Sequence, residues 1–195
     1  MDIKKMLKPI ISAATGLLGL IFLAINYLTV TVSFWGQTAS SGIDNGYGFA
    51  FFSLSFDGAK ASVFGYITSL ALFVLFFASI ALLLIGAAKI LRELKVLQLP
   101  ASIPLCKIES LASVVFQGTA VLAIVSILIF GFANGQDGVS YMPGAGAWLL
   151  LVLAVVSALA PKLIAKMNAS APAEAAPAEA APAEEAAKEE EKTEE

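Results

Sequence analysis

Few residues in this chain could do chemistry, and they are widely spaced. Its 195 residues include no histidine and a single cysteine, Cys106. A disulfide within the chain, a Cys/His zinc site and histidine acid–base catalysis are thereby excluded. Glu109 is the one carboxylate at the edge of a long apolar run. Near a helix N-terminus it is favoured by the helix dipole, while an acid carried deeper would point to gating or coupling. Gln117 and Asn26 are amides within apolar surroundings, where an amide seeks an interhelical hydrogen bond worth about 0.6–2 kcal/mol. Both are expected to make such polar contacts. Asp44, Asp57 and Asp137 are the acids of the polar loops, and their spacing does not supply the six to eight oxygens that calcium takes. With no nucleophile beside a base and no carboxylate pair on one helix face, neither an enzyme, a cofactor nor a metal is expected.

The elements that must position these residues follow from composition. Hydrophobic residues make up 58% of the chain and charged residues 14%, with a mean hydropathy of +0.85, far from the balance of a soluble domain. A bilayer core of about 30 Å needs roughly 20 apolar residues in helix. Four stretches qualify, at about 7–28, 61–95, 108–132 and 145–164. Backbone groups in lipid must be satisfied within the segment, so each is read as a helix. The first apolar run exceeds the core of a secretory leader and is read as a retained helix.

Cationic residues set the orientation. Lys4, Lys5, Lys8, Lys89, Arg92, Lys95, Lys107, Lys162 and Lys166 fall on the side of both termini, against Lys60 alone on the other. The termini and the 87–107 connection are therefore expected in the cytoplasm, and the loops at about 29–60 and 133–144 outside.

Thr29–Phe34 alternates polar and apolar residues, as does Phe52–Phe56, with Asn45-Gly46 between them as a turn pair. The expected result is a small β-ribbon with strands at 29–34 and 52–56, with helix one ending near Leu28 and a short edge strand at 139–141. Six of the thirteen phenylalanines lie between 34 and 64. Aromatic belts and ribbon packing account for such clusters, and an exposed apolar patch that docks a partner is the functional alternative. Phe51, Phe52, Phe56 and Trp35 are the candidate partner contacts. Ser12/Gly16, Thr15/Gly19 and Ala154/Ala158 form small-xxx-small pairs that allow close helix approach within the bundle or between copies.

Beyond Ala171 the repeat Ala-Pro-Ala-Glu dominates. Nine acids and two lysines from Glu174 onward give −7, so the remainder of a chain at −3 carries +4. Proline every five residues and the absence of apolar bulk predict a disordered acidic tail over 167–195.

The layout resembles claudin-like tetraspan membrane proteins: four helices, a longer β-structured first loop beginning near Trp35, a shorter second loop and a cytoplasmic tail. The paired cysteines of that family are absent. The Ala-Pro-Ala-Glu repeat looks like tails frequent in bacterial proteins and points to a bacterial inner (plasma) membrane. The expected fold is mainly α and polytopic, a four-transmembrane-helix bundle over 1–166 with an external β-ribbon. The expected function is structural or protein-interacting through the first external loop, or alternatively that of a small transporter or channel-like subunit. Expected partners are the lipid bilayer and a protein or second copy, with no nucleic acid.

Overall fold

The computed structural model describes residues 3–52, 63–97, 100, 103–135 and 137–169. The chain runs α1 (Ile3–Leu23), β1 (Asn26–Phe34), β2 (Gln37–Asn45), α2 (Gly46–Phe52), α3 (Val63–Glu93), α4 (Leu105–Asn134), β3 (Val139–Pro143) and α5 (Ala145–Ala169). Four helices, α1, α3, α4 and α5, are long and apolar enough to cross a membrane. They run alternately up and down, so the start of α1, the end of α3, the start of α4 and the end of α5 share one end of the bundle. The sheet occupies the other.

The core is made by the faces these helices turn toward one another. Leu23, Leu72, Leu75, Leu82, Phe116, Ile127 and Leu150 are almost wholly buried. Outward-facing Leu70, Leu84, Leu111, Val114 and Val152 are each more than half exposed. An apolar belt around an apolar core is what a helix bundle presents when lipid covers its outer surface.

Buried hydroxyls among these helices mostly satisfy themselves. Thr68 donates to the carbonyl of Phe64 at 2.8 Å, Ser79 to that of Leu75 at 2.9 Å, and Ser69 to that of Gly65 at 3.1 Å. A hydroxyl bonded back to the preceding turn removes the cost of burying it without needing a neighbour.

The small residues of α1 face α3. A Cβ on Gly16 would meet the Ser79 carbonyl, and one on Gly19 would lie 2.7 Å from Ser79 Oγ and 2.9 Å from Phe116. Gly86 returns the close approach from α3, where a Cβ would lie 2.8 Å from the Ala13 Cα. The stripe therefore serves packing inside the bundle. Because the obstacle at position 16 is backbone, Gly16→Val is expected to destabilise the protein by about 1–3 kcal/mol, read from denaturant unfolding of the full chain. Gly118→Ala is the control, because a Cβ there meets nothing within 4 Å.

At the sheet end, β1 is the central strand of the antiparallel order β2-β1-β3. β3 covers only Leu28–Val32 of β1, whereas β2 follows it out to the Phe34–Gln37 pair. The outer part of the hairpin is thus a two-stranded ribbon projecting past β3. Tyr27, Leu28 and Phe49 anchor its base, the Tyr27 and Phe49 rings lying 5.8 Å apart.

Three expectations are corrected here. Helix one ends at Leu23 rather than near Leu28, and the strand begins at Asn26. The last carbonyls of a helix need outside donors, and Tyr47 Oη supplies one to Leu20 at 2.7 Å. Tyr27 and Leu28 are then free to bury beneath the sheet. The partner strand is Gln37–Asn45, not 52–56. The hairpin turns at Trp35-Gly36, while Phe52 ends α2 and residues 53–56 lie outside the described residues. Asn45 begins a helix instead of turning a hairpin, its Oδ1 accepting from the Gly48 amide at 2.7 Å. Finally, α5 continues through Pro161 to Ala169. The edge strand at 139–141 is present within β3. The Ala-Pro-Ala-Glu tail lies outside the described residues.

Candidate functional site

A polar stripe runs along α4 in an otherwise apolar helix. Cys106, Glu109, Ser113 and Gln117 recur every three or four residues, which places them on one face. The step from Cys106 to Gln117 spans about 16 Å of helix axis, roughly half the thickness of a bilayer core. This face meets α1 and α5 around a cavity of about 350 Å³ at the terminal end of the bundle. The volume falls at the lower end of small-molecule sites.

Lys8 of α1 and Lys162 of α5, both exposed, stand at its mouth. One layer deeper lies Glu109, only 4% exposed. Its two oxygens are both engaged: Ser12 of α1 donates to Oε1, and Lys89 of α3 forms an ion pair with Oε2. Three helices are thus tied through one carboxylate. Lys89 Nζ also lies 3.5 Å from Cys106 Sγ. The negative charge of Glu109 is neutralised where it sits, a requirement for keeping a charge in low dielectric.

Gln117 and Ser157 form the inner limit. Ser157 Oγ donates to the Ala154 carbonyl at 2.8 Å, so toward Gln117 it can only accept. That fixes the amide orientation: Gln117 Nε2 donates to Ser157 Oγ at 3.3 Å and to Ser113 Oγ at 3.1 Å. The amide oxygen is left as an acceptor on the cavity side. Pro161 adds a second acceptor. Having no N–H, it leaves the Ser157 carbonyl without its helical donor, and both residues line the cavity.

At the opposite end of the molecule, the hairpin tip presents Phe34 and Trp35, 72% and 91% exposed, with ring centroids 5.9 Å apart. Trp35 has φ 52° and Gly36 φ 78°, the pair of positive values that a two-residue type I′ hairpin needs. Asparagine or glycine ordinarily takes the first of these positions; here a tryptophan holds it. Burial pushes the Tyr27 and Tyr47 phenols above their ordinary range, keeping both neutral beneath the sheet.

The residues singled out from sequence are scattered between these two places. Gln117 makes an interhelical contact, to Ser157. Asn26 lies outside the helices, opposite Asn45 at the start of the hairpin, with its side chain against Gly42. Phe51 packs edge-on against Phe73 and Phe76 at 5.6 and 5.1 Å, on the flank of α3 rather than beside Trp35. Phe52 lies at the end of α2, and Phe56 is outside the described residues. Sequence reasoning missed the cluster of Ser12, Lys89 and Glu109. Its visible signal was the three-to-four-residue rhythm of polar residues on α4.

No family model, curated protein or solved structure matches the chain.

Proposed function

We propose that this chain is a non-enzymatic, multi-pass membrane protein whose first external loop docks a protein partner through the aromatic hairpin tip. The four apolar helices support membrane insertion, and the concentration of lysine and arginine at the terminal end supports cytoplasmic termini. In that orientation the sheet faces outward, as in the claudin-like layout. The alanine-proline-glutamate tail favours a bacterial plasma membrane.

One observation carries the docking role. Phe34 and Trp35 stand at the end of a projecting ribbon, with Trp35 in a backbone conformation that tryptophan rarely adopts. An exposed aromatic held at such a position is costly to keep for folding alone, and aromatic anchors dominate the energetics of protein interfaces. A photo-crosslinking residue at Trp35 is expected to give a discrete protein adduct in intact cells. The same residue at Val63, also exposed but at the start of α3, is expected to give none. Equal adduct yields at the two positions would refute the hairpin as the contact.

The cavity favours a second reading, a small transporter or channel-like subunit. Uncharged polar linings can conduct when several line one path. Solute flux into liposomes that disappears with Gln117→Leu would establish it.

A further inference from the structure

From the terminal-end cavity we infer a binding site for a phosphate ester of a small polyol, with phosphate at the mouth and hydroxyls at the inner end. Charge at the mouth selects an anion. Among the described residues, Lys8 and Lys162 have no hydrogen-bond or ion-pair partner, and they face the same opening from different helices. The carboxylate nearest to them does not oppose an anion, because Lys89 and Ser12 already hold both its oxygens. Among the described lining residues, the ammonium groups of Lys8 and Lys162 and one neutralised pair leave a net charge of about +2. Lysine serves as a point-charge ligand for phosphate in such positions.

The inner end selects the rest of the molecule. The inner end sets Thr15, Gln117 and Ser157 beside Leu82 and Val114, polar groups that an acyl chain would leave unpaired and a hydroxylated ligand would meet. Two acceptors lie there, the Gln117 amide oxygen, whose amide nitrogen alone is engaged, and the Ser157 carbonyl, which Pro161 deprives of its i+4 amide donor. A hydroxyl provides such a donor, and Ser113 adds a group that can donate or accept. The spacing is compatible: Lys162 and Ser157 are five residues apart on α5, about 7–8 Å along its axis. A three-carbon polyol carrying a terminal phosphate covers that length. Opposite the α4 stripe, Ile11, Ala158 and Ile164 close the cavity with apolar surface and suit the carbon skeleton.

The ligand has two possible sources, a free polyol phosphate or the glycerophosphate headgroup of an anionic lipid entering from the side. Calorimetry on the full-length protein in phosphatidylcholine nanodiscs, titrated with sn-glycerol 3-phosphate, tests the first. Saturable binding is expected, weakened at least about ten-fold by the Lys8→Gln/Lys162→Gln pair. Gln117→Met should weaken binding of glycerol 3-phosphate but not of inorganic phosphate. Lys107→Gln, exposed and outside the lining, should change nothing. The second arm is native mass spectrometry after reconstitution with phosphatidylglycerol and phosphatidylcholine. Retained phosphatidylglycerol that is lost in the lysine pair would identify the headgroup as the source and also support the site. Both lysines are exposed, so their replacement leaves the core intact, and circular dichroism verifies that for every variant. No binding in either arm would overturn the proposal. So would binding indifferent to the lysine pair, or glycerol binding as tightly as its phosphate.

Discussion

Replacing Lys89 with methionine is expected to destabilise the bundle by about 3–5 kcal/mol, the largest effect of any single change near the cavity. The side chain loses little apolar volume, so packing is nearly preserved. What disappears is the partner of a carboxylate that is 4% exposed. Coulomb attraction across so short a separation strengthens as the effective dielectric falls, and so does the penalty for an unpaired charge. Ser12 can still donate one hydrogen bond to Glu109 but cannot neutralise it. The converse change is milder. With Glu109→Gln, Lys89 lies on the last turns of α3 and can extend its ammonium toward the end of the bundle, so a loss of about 1–2 kcal/mol is expected. The double replacement Lys89→Met/Glu109→Leu should recover most of the stability, because two apolar groups of similar volume leave no orphaned charge. Unfolding of the full chain in detergent with increasing denaturant gives the three values. If both single variants stay within about 0.5 kcal/mol of the parent, the ion pair does not tie the helices together.

The position of that pair shows where sequence stops being informative. The four helices are legible because uninterrupted apolar runs near 20 residues match the length that crossing a bilayer requires and have few other uses. Glu109 was legible as a lone acid but not as a buried one. Its depth depends on α4 beginning at Leu105 instead of near residue 108, which carries Glu109 a turn into the helix. Shifts of a few residues at helix ends move a charge across the surface, and periodicity does not fix ends to that accuracy. The stripe at 106, 109, 113 and 117 was present, but its partners Ser12 and Ser157 lie 97 and 40 residues away from the groups they meet. Only the fold brings them together.

The sheet failed for a different reason. Alternation at Thr29–Phe34 located β1 but not the buried face it implies: burial is confined to Tyr27 and Leu28 and falls away to the exposed Val32 and Phe34. The exposed stretch Gln37–Gly42 buries neither face, so its sequence has nothing to alternate. The turn was displaced by the same statistics. Asn45-Gly46 is the favoured turn pair, whereas Trp35-Gly36 places a bulky residue at positive φ. A local rule broken without local benefit marks a site where something other than folding sets the residue.

That reasoning leads to an expected result with opposite signs in two measurements. Trp35→Asn should make the hairpin more stable and its docking much weaker. Asparagine tolerates the left-handed region and, followed by glycine, forms the preferred type I′ pair, whereas tryptophan at φ 52° carries about 1–2 kcal/mol of strain. The gain is local, since the outer ribbon beyond β3 can open without disturbing the helices. Amide hydrogen exchange is therefore the appropriate reading. Protection across the Ser33–Thr38 and Phe34–Gln37 pairs should rise about five-fold for 1 kcal/mol. Docking moves the other way. Truncating an exposed tryptophan that anchors an interface costs about 2 kcal/mol or more, roughly thirty-fold in affinity for the partner captured by crosslinking. A purely structural tryptophan would not separate the two readings, because its removal would lower protection or leave both unchanged. Slower exchange at the hairpin together with unaltered partner affinity would mean that Trp35 is strained for no interface, and the docking surface would then have to lie elsewhere on the molecule.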